Sequence, residues 1–157
     1  NLFGWYDMNY KLTSRCEEDT LEIAENIESE KFPGMVICLD GELGSGKTVF
    51  VKGFAKALGI KETITSPTFS LVKEYHEGEL PLFHMDVYRL DDAKEDFGLD
   101  DYLNQDGVCI IEWPEMIDGQ LPEERLDIKI KVIDDDTRVL VFTPYGQQYE
   151  ELCEAVL

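Results

Sequence analysis

The segment Gly41-Glu42-Leu43-Gly44-Ser45-Gly46-Lys47-Thr48 has the spacing Gly-x-x-x-x-Gly-Lys-Thr. Its glycines let the backbone curl until several N–H groups point at the β- and γ-phosphates, an approach that side chains would obstruct. Lys47 sets an ammonium against those phosphates, and Thr48 offers its hydroxyl to Mg²⁺. A helix starting at the end of the loop adds its positive N-terminal end to the same field. A metal held there needs a further oxygen ligand, usually an acid at the end of a neighbouring buried strand. Glu112 follows the apolar run Val108-Cys109-Ile110-Ile111 and answers that description, while Asp86, after Leu82-Phe83-His84-Met85, competes for the role. His84, on the same apolar run, reads as a packed core histidine rather than a ligand.

Positioning these groups requires a strand before the loop and a helix after it. Met35 to Leu39 is a continuous apolar run suited to a central parallel strand, and Phe50, Phe54, Ala57 and Leu58 mark a helix closed by Gly59. Ahead of them, Ser14 and Glu17 have capping-box spacing, and Leu21, Ile23, Ala24 and Ile27 predict a helix through about Ser29. Thr68 to His76 and Leu80 to Tyr88 read as an antiparallel pair, and Val108 to Ile111 as a second buried strand. Asp91 to Asn104 is acidic and weakly periodic, which suggests short surface turns. Arg125 to Ile133 and Arg138 to Thr143 alternate about the Asp134-Asp135-Asp136 turn as a late hairpin, and Tyr149, Leu152, Cys153 and Val156 mark a closing helix. The predicted fold is α/β: a three-layer arrangement of the kind built around a phosphate loop, with a mixed, mostly parallel central sheet and antiparallel additions.

With 157 residues, 43% of them apolar, the chain fits one core and hence a single domain. That domain is expected over residues 8–157, with residues 1–7 read as an added or disordered segment. The formal charge of −20 repels nucleic acid and anionic lipid over most of the surface, so any RNA contact is local or indirect. An anionic nucleotide meets the same objection, and backbone amides with a few placed cations are what overcome it. Cys16, Cys38, Cys109 and Cys153 lack C-x-x-C spacing and read as reduced, inert thiols. No apolar run is long enough to span a bilayer, and a cytoplasmic location is expected.

Three further segments stand beside the loop: Ser66-Pro67-Thr68-Phe69-Ser70-Leu71-Val72, His84-Met85-Asp86-Val87-Tyr88-Arg89-Leu90 and Ile111-Glu112-Trp113-Pro114-Glu115. In this order the four motifs resemble the bacterial TsaE ATPases of tRNA threonylcarbamoyladenosine biosynthesis, and the likeness covers nearly everything after Met8. It implies an ATP- and Mg²⁺-dependent ATPase that supports two partner proteins, of the TsaD and TsaB type, in installing threonylcarbamoyl on the adenosine beside the anticodon. By that resemblance Gly41, Glu42, Leu43, Gly44, Ser45, Gly46, Lys47 and Thr48 hold the phosphates, and Thr48 and Glu112 ligate the metal. Asp86, Glu112 and Lys47 carry the catalytic roles, with Asp86 in the metal shell or orienting water. Ser66 and Thr68 belong to a nucleotide-sensing switch, and Trp113 stands beside the metal acid. Glu17, with Thr20, approaches the adenine, and Arg138 is the late arginine nearest the nucleotide.

The alternative reading is a small-molecule kinase, since the same loop serves phosphoryl transfer to a hydroxyl. Such kinases usually close an arginine-bearing lid, and no segment here clusters arginines: Arg15, Arg89, Arg125 and Arg138 are dispersed. That scarcity predicts slow turnover alone and completion of the site by a partner. The guanine-reading Asn-Lys-x-Asp motif is absent, which favours ATP over GTP.

Overall fold

Val36–Asp40, Leu82–Asp86 and Val108–Glu112 are strands whose apolar positions are buried on both faces, as parallel strands inside a layered fold must be. They are β2, β4 and β5 of a computed structural model that describes residues 9–67, 71–88, 90 and 98–157. The remaining strands are β1 (Tyr10–Ser14), β3 (Val72–Tyr75), β6 (Arg125–Val132) and β7 (Arg138–Tyr145). The helices are α1 (Glu17–Glu28), α2 (Lys47–Leu58), α3 (Leu99–Leu103) and α4 (Gln147–Val156), with 3-10 turns over Pro114–Gln120.

All seven strands join one sheet in the order β1-β7-β6-β2-β5-β4-β3. β6, β2, β5 and β4 run parallel at its centre, and β7, β1 and β3 are added antiparallel at the two sides. Side-chain alternation then divides the core. Ile37, Leu39, Ile110 and Ile128 pack with Ile27, Phe50, Phe54 and Leu152 of the helices on one face. Val36, Cys38, Met85 and Ile111 pack with Leu99 and Ile117 on the other. The Val36 amide donates to the Tyr149 hydroxyl at 2.8 Å, which ties α4 to the central strand. Burial pushes the Cys109 thiol up to about 12, in keeping with an inert core cysteine.

The capping box at Ser14 does not form. Ser14 ends β1, an edge strand not anticipated from the sequence, and its hydroxyl donates to the Cys16 carbonyl at 2.8 Å and meets the Thr20 hydroxyl at 2.6 Å. Cys16 is therefore the residue before the helix, and the Asp19 carboxylate accepts from the Arg15 amide at 2.9 Å. Pairing with β7 extends the chain through Ser14, so the hydroxyl lies too early to cap α1. Of the acidic stretch from Asp91 to Asn104, residues 91–97 lie outside those described, and the rest forms α3. No helix among the described residues is long and apolar enough to cross a membrane.

α1 crosses α2 at Gly53, where an added Cβ would stand 2.9 Å from the Leu21 carbonyl oxygen and 3.1 Å from the Ala24 Cβ. Gly→Ala in an open helix gains about 1 kcal/mol, but overpacking costs roughly 1–3 kcal/mol, and here the obstacle is backbone that cannot swing aside. Gly53→Ala is therefore expected to destabilise by about 1 kcal/mol or more in urea unfolding. A higher midpoint for the variant would show that the two helices separate freely.

Candidate phosphate-binding site

Asp40 ends β2 and Lys47 begins α2, so the glycine loop turns the chain from sheet into helix at the C-terminal ends of the parallel strands. Gly44 and Gly46 have φ of 79° and 107°, a region that suits glycine and strains other residues. Gly41 is needed for space: a Cβ there would lie 2.5 Å from the Ser45 hydroxyl and 3.1 Å from the Ile130 carbonyl. The loop borders a cavity of about 540 Å³.

The cavity gathers segments far apart in the chain. Its walls include Leu43, Gly44, Ser45, Gly46, Lys47 and Thr48 of the loop and helix start, Glu17 and Thr20 of α1, Ser66, Asp86 and Glu112 at the ends of β4 and β5, Trp113, and Arg138 of β7. Two expected residues do not line it. Gly41 is buried with no room for a side chain, and Glu42 is exposed, its carbonyl accepting from the Ser45 amide at 3.0 Å. Thr68 and Arg89 fall outside the described residues. Cys16, Glu18, Asp135 and Asp136 line the cavity without having been foreseen, and only the Asp134-Asp135-Asp136 run could have drawn notice.

Lys47 dominates the electrostatics. Its side chain is only 5% exposed, and Nζ has no hydrogen-bond partner. Burial lowers its pKa from the ordinary value, while the carboxylates of Glu112 and Asp86 pull it back up. The ammonium sits 3.6 Å from the centroid of the Trp113 ring, a cation–π contact that offsets part of the lost hydration. Trp113 has φ 60° and ψ 48°, the single non-glycine residue among those described with positive φ, and its ring also packs against Tyr88 at 4.6 Å. A bulky side chain in the left-handed region costs about 1–2 kcal/mol, so the surrounding structure holds the indole over Lys47 against its backbone preference. The Ser45 hydroxyl is a second buried group without a partner.

Glu112 and Asp86 are register partners across β5 and β4, and Glu112 is also paired with Leu39 of β2. Parallel pairing thus brings both acids beside the loop. Glu112 is 4% exposed, and its Oε2 bonds to His84 Nε2 at 2.5 Å. His84 is completely buried and its Nδ1 has no partner, so the tautomer carrying the proton on Nε2 satisfies the carboxylate. Thr48, Asp86 and Glu112 offer hard oxygen donors, and among the described residues the cavity wall carries Glu17, Glu18, Asp86, Glu112, Asp135 and Asp136 against Lys47 and Arg138. So acidic a mouth opposes a bare polyphosphate, and the chemistry of these oxygens fits a hard divalent cation such as Mg²⁺.

His84 is expected to hold Glu112 in the orientation a metal requires. His84→Leu should raise the Mg²⁺ concentration for half-maximal strengthening of nucleotide binding by about 10- to 100-fold, the usual cost of losing an outer-shell partner. His84→Gln, which can still donate an N–H, should recover part of it. Unchanged metal dependence in folded His84→Leu would reduce the histidine to packing.

Residues 14–140 match the family described as "Threonylcarbamoyl adenosine biosynthesis protein TsaE". The chain belongs to the TsaE family. It is 53% identical over 137 residues to the Bacillus subtilis tRNA threonylcarbamoyladenosine biosynthesis protein TsaE, covering 87% of each chain. The Treponema pallidum protein of the same description is 43% identical over 130 residues, covering 82% of this chain and 96% of that one. The crystal structure of Bacillus subtilis YdiB superposes with a TM-score of 0.83 at 44% identity, covering 94% of this chain and 93% of the other. The TsaE match encloses the whole loop together with Asp86, Glu112 and Arg138.

Proposed function

We propose that this chain is an ATP-binding protein and slow ATPase that serves tRNA threonylcarbamoyladenosine biosynthesis in the cytoplasm. The observation that carries the reading is Lys47: a buried ammonium without a hydrogen-bond partner among the described residues, at the start of a helix and on the wall of a cavity lined by the glycine loop. Such a group waits for an anion. Absence of a guanine-reading motif favours ATP over GTP.

In this reading the Lys47 ammonium and the amides at the start of α2 bind the β- and γ-phosphates. Thr48 and Glu112 would hold Mg²⁺, which when bound neutralises phosphate charge and fixes the γ-phosphate. The His84 bond uses Glu112 Oε2 and would hold the carboxylate in place when the metal binds. Asp86, one strand over, orients the attacking water. Arg125 is occupied by Asp127 at 2.9 Å and by the Tyr145 ring, and Arg138 by main-chain oxygens, so neither is free to reach a γ-phosphate. A transition-state cation from outside the chain would raise turnover by about 10³- to 10⁵-fold. We assign that role to the partners, of the TsaD and TsaB type, which also hold the tRNA.

Titration of ATP and GTP with and without Mg²⁺ tests this, read by the Trp113 emission in a Trp5→Phe background. Release of inorganic phosphate is followed alone and with the partners. Mg²⁺-dependent ATP binding with slow, partner-stimulated phosphate release is expected. Transfer of the phosphate to a small-molecule hydroxyl would establish a kinase instead, and no nucleotide binding at all would defeat both readings.

A further inference from the structure

The side chain of Arg138 donates to five main-chain oxygens. Nε reaches the Ser45 carbonyl at 3.0 Å and Nη2 the Gly44 carbonyl at 3.2 Å, both in the phosphate loop. Nη1 reaches the carbonyls of Asp134, Asp135 and Thr137 in the β6–β7 turn at 2.7, 3.3 and 3.1 Å. Its Cα is fixed in the sheet between Val132 of β6 and Ser14 of β1. One planar fork therefore couples the glycine loop to the hairpin, which a single lysine nitrogen cannot do.

We propose that Arg138 is a positioning residue that keeps the loop's amides turned into the cavity, an inference that rests on the phosphate-binding reading above. In a trans peptide the C=O and N–H groups point in opposite directions, and no described peptide is cis. Drawing the Ser45 carbonyl toward the hairpin sends the Gly46 N–H the other way, to the side of the free amides that open α2. The Ser45 amide is already spent on the Glu42 carbonyl at 3.0 Å, so the Gly46 amide is the one whose direction matters. Gly46 closes that peptide with a φ of 107°, a region that glycine enters at little steric cost, so the peptide plane has more than one accessible orientation. Arg138 selects one of those orientations before any ligand arrives. Its hydrogen-bond acceptors are all main-chain oxygens, so the guanidinium reaches the cavity wall hydrogen-bonded to no carboxylate, with the Asp134 charge close enough to be stabilised by it.

The test uses the full chain and two ligands, ATP and inorganic tripolyphosphate, the second having neither base nor sugar. Arg138→Lys keeps the charge and loses the fork; Arg138→Met loses both. Calorimetric titration should show both ligands weakened by a similar factor, about 10-fold or more for Arg138→Lys. NMR of the nucleotide-free variant should show exchange broadening at Gly44 to Gly46 that the parent lacks. Unchanged binding by Arg138→Lys would overturn the proposal, as would weaker binding with an unaltered loop. Loss confined to ATP would also overturn it, because Arg138 would then touch base or sugar directly. Failure of the parent to bind either ligand would bring down the phosphate-binding reading itself.

Discussion

Lys47→Met is expected to lose nucleotide binding by at least about 100-fold and yet to raise the thermal midpoint of the nucleotide-free protein. The loss follows from removing the buried cation that meets the phosphates through charge-assisted hydrogen bonds. The gain follows from its state in the free protein: 5% exposed, without a hydrogen-bond partner, and stabilised only by the Trp113 ring at 3.6 Å and by more distant carboxylates. A cation–π contact contributes about 0.5–2 kcal/mol, less than the several kcal/mol that burying an ion costs. Methionine fills the same volume without a charge. A gain of about 1 kcal/mol or more is expected, at roughly 2–4 °C per kcal/mol for a chain of this size.

The pH dependence has a definite sign. Burial lowers the Lys47 pKa in the folded protein below the 10.5 that the unfolded chain retains. Between the two values the unfolded state binds more protons, so this residue makes the parent more stable as pH rises. The methionine variant lacks that contribution, and its advantage should shrink as pH approaches 10.5. Calorimetric melting of both proteins across that range is the measurement. A variant no more stable than its parent at neutral pH would mean that the indole and the acids already compensate the charge in full.

Glu112→Gln should abolish the Mg²⁺-dependent part of ATP affinity, by more than the 10- to 100-fold assigned to its outer-shell histidine. Glutamine preserves the size of the side chain and can still accept from His84 Nε2, so the core beneath the site should survive. What disappears is the negative oxygen, held by β5 between β2 and β4, that a hard cation requires. Asp86→Asn is the control on the adjacent register position. If Asp86 orients water, its variant keeps metal-strengthened binding and loses hydrolysis; if Asp86 is the metal acid, the two phenotypes exchange. Nucleotide affinity measured against Mg²⁺ concentration, beside single-turnover phosphate release, separates these outcomes.

The phosphate loop was legible in the sequence because its chemistry is local. Eight consecutive residues supply the glycines, the ammonium and the hydroxyl, and the apolar run before them could only be a buried strand. The central strands, the late hairpin and the closing helix were legible for a related reason, since their periodicity is written along a single segment. β1 was not: five residues alternating in burial at a sheet edge carry little apolar signal, and their strand state comes from pairing with β7, more than a hundred residues away. The same pairing cancelled the capping box, because Ser14 could not both end a strand and cap a helix.

Only the tertiary structure decided how the loop is equipped. Glu112 and Asp86 were interchangeable as sequence, and parallel register set them side by side with Glu112 against the loop strand and buried on His84. Arg138 was known only as a late arginine, and folding the β6–β7 hairpin over the loop turned it into a clasp on two loop carbonyls. Sequence motifs specify which groups can meet a phosphate, because covalent spacing holds them together. Which acid is desolvated, which ammonium is left without a partner and which carbonyls are pinned depend on contacts between distant segments, and those exist only once the sheet has closed.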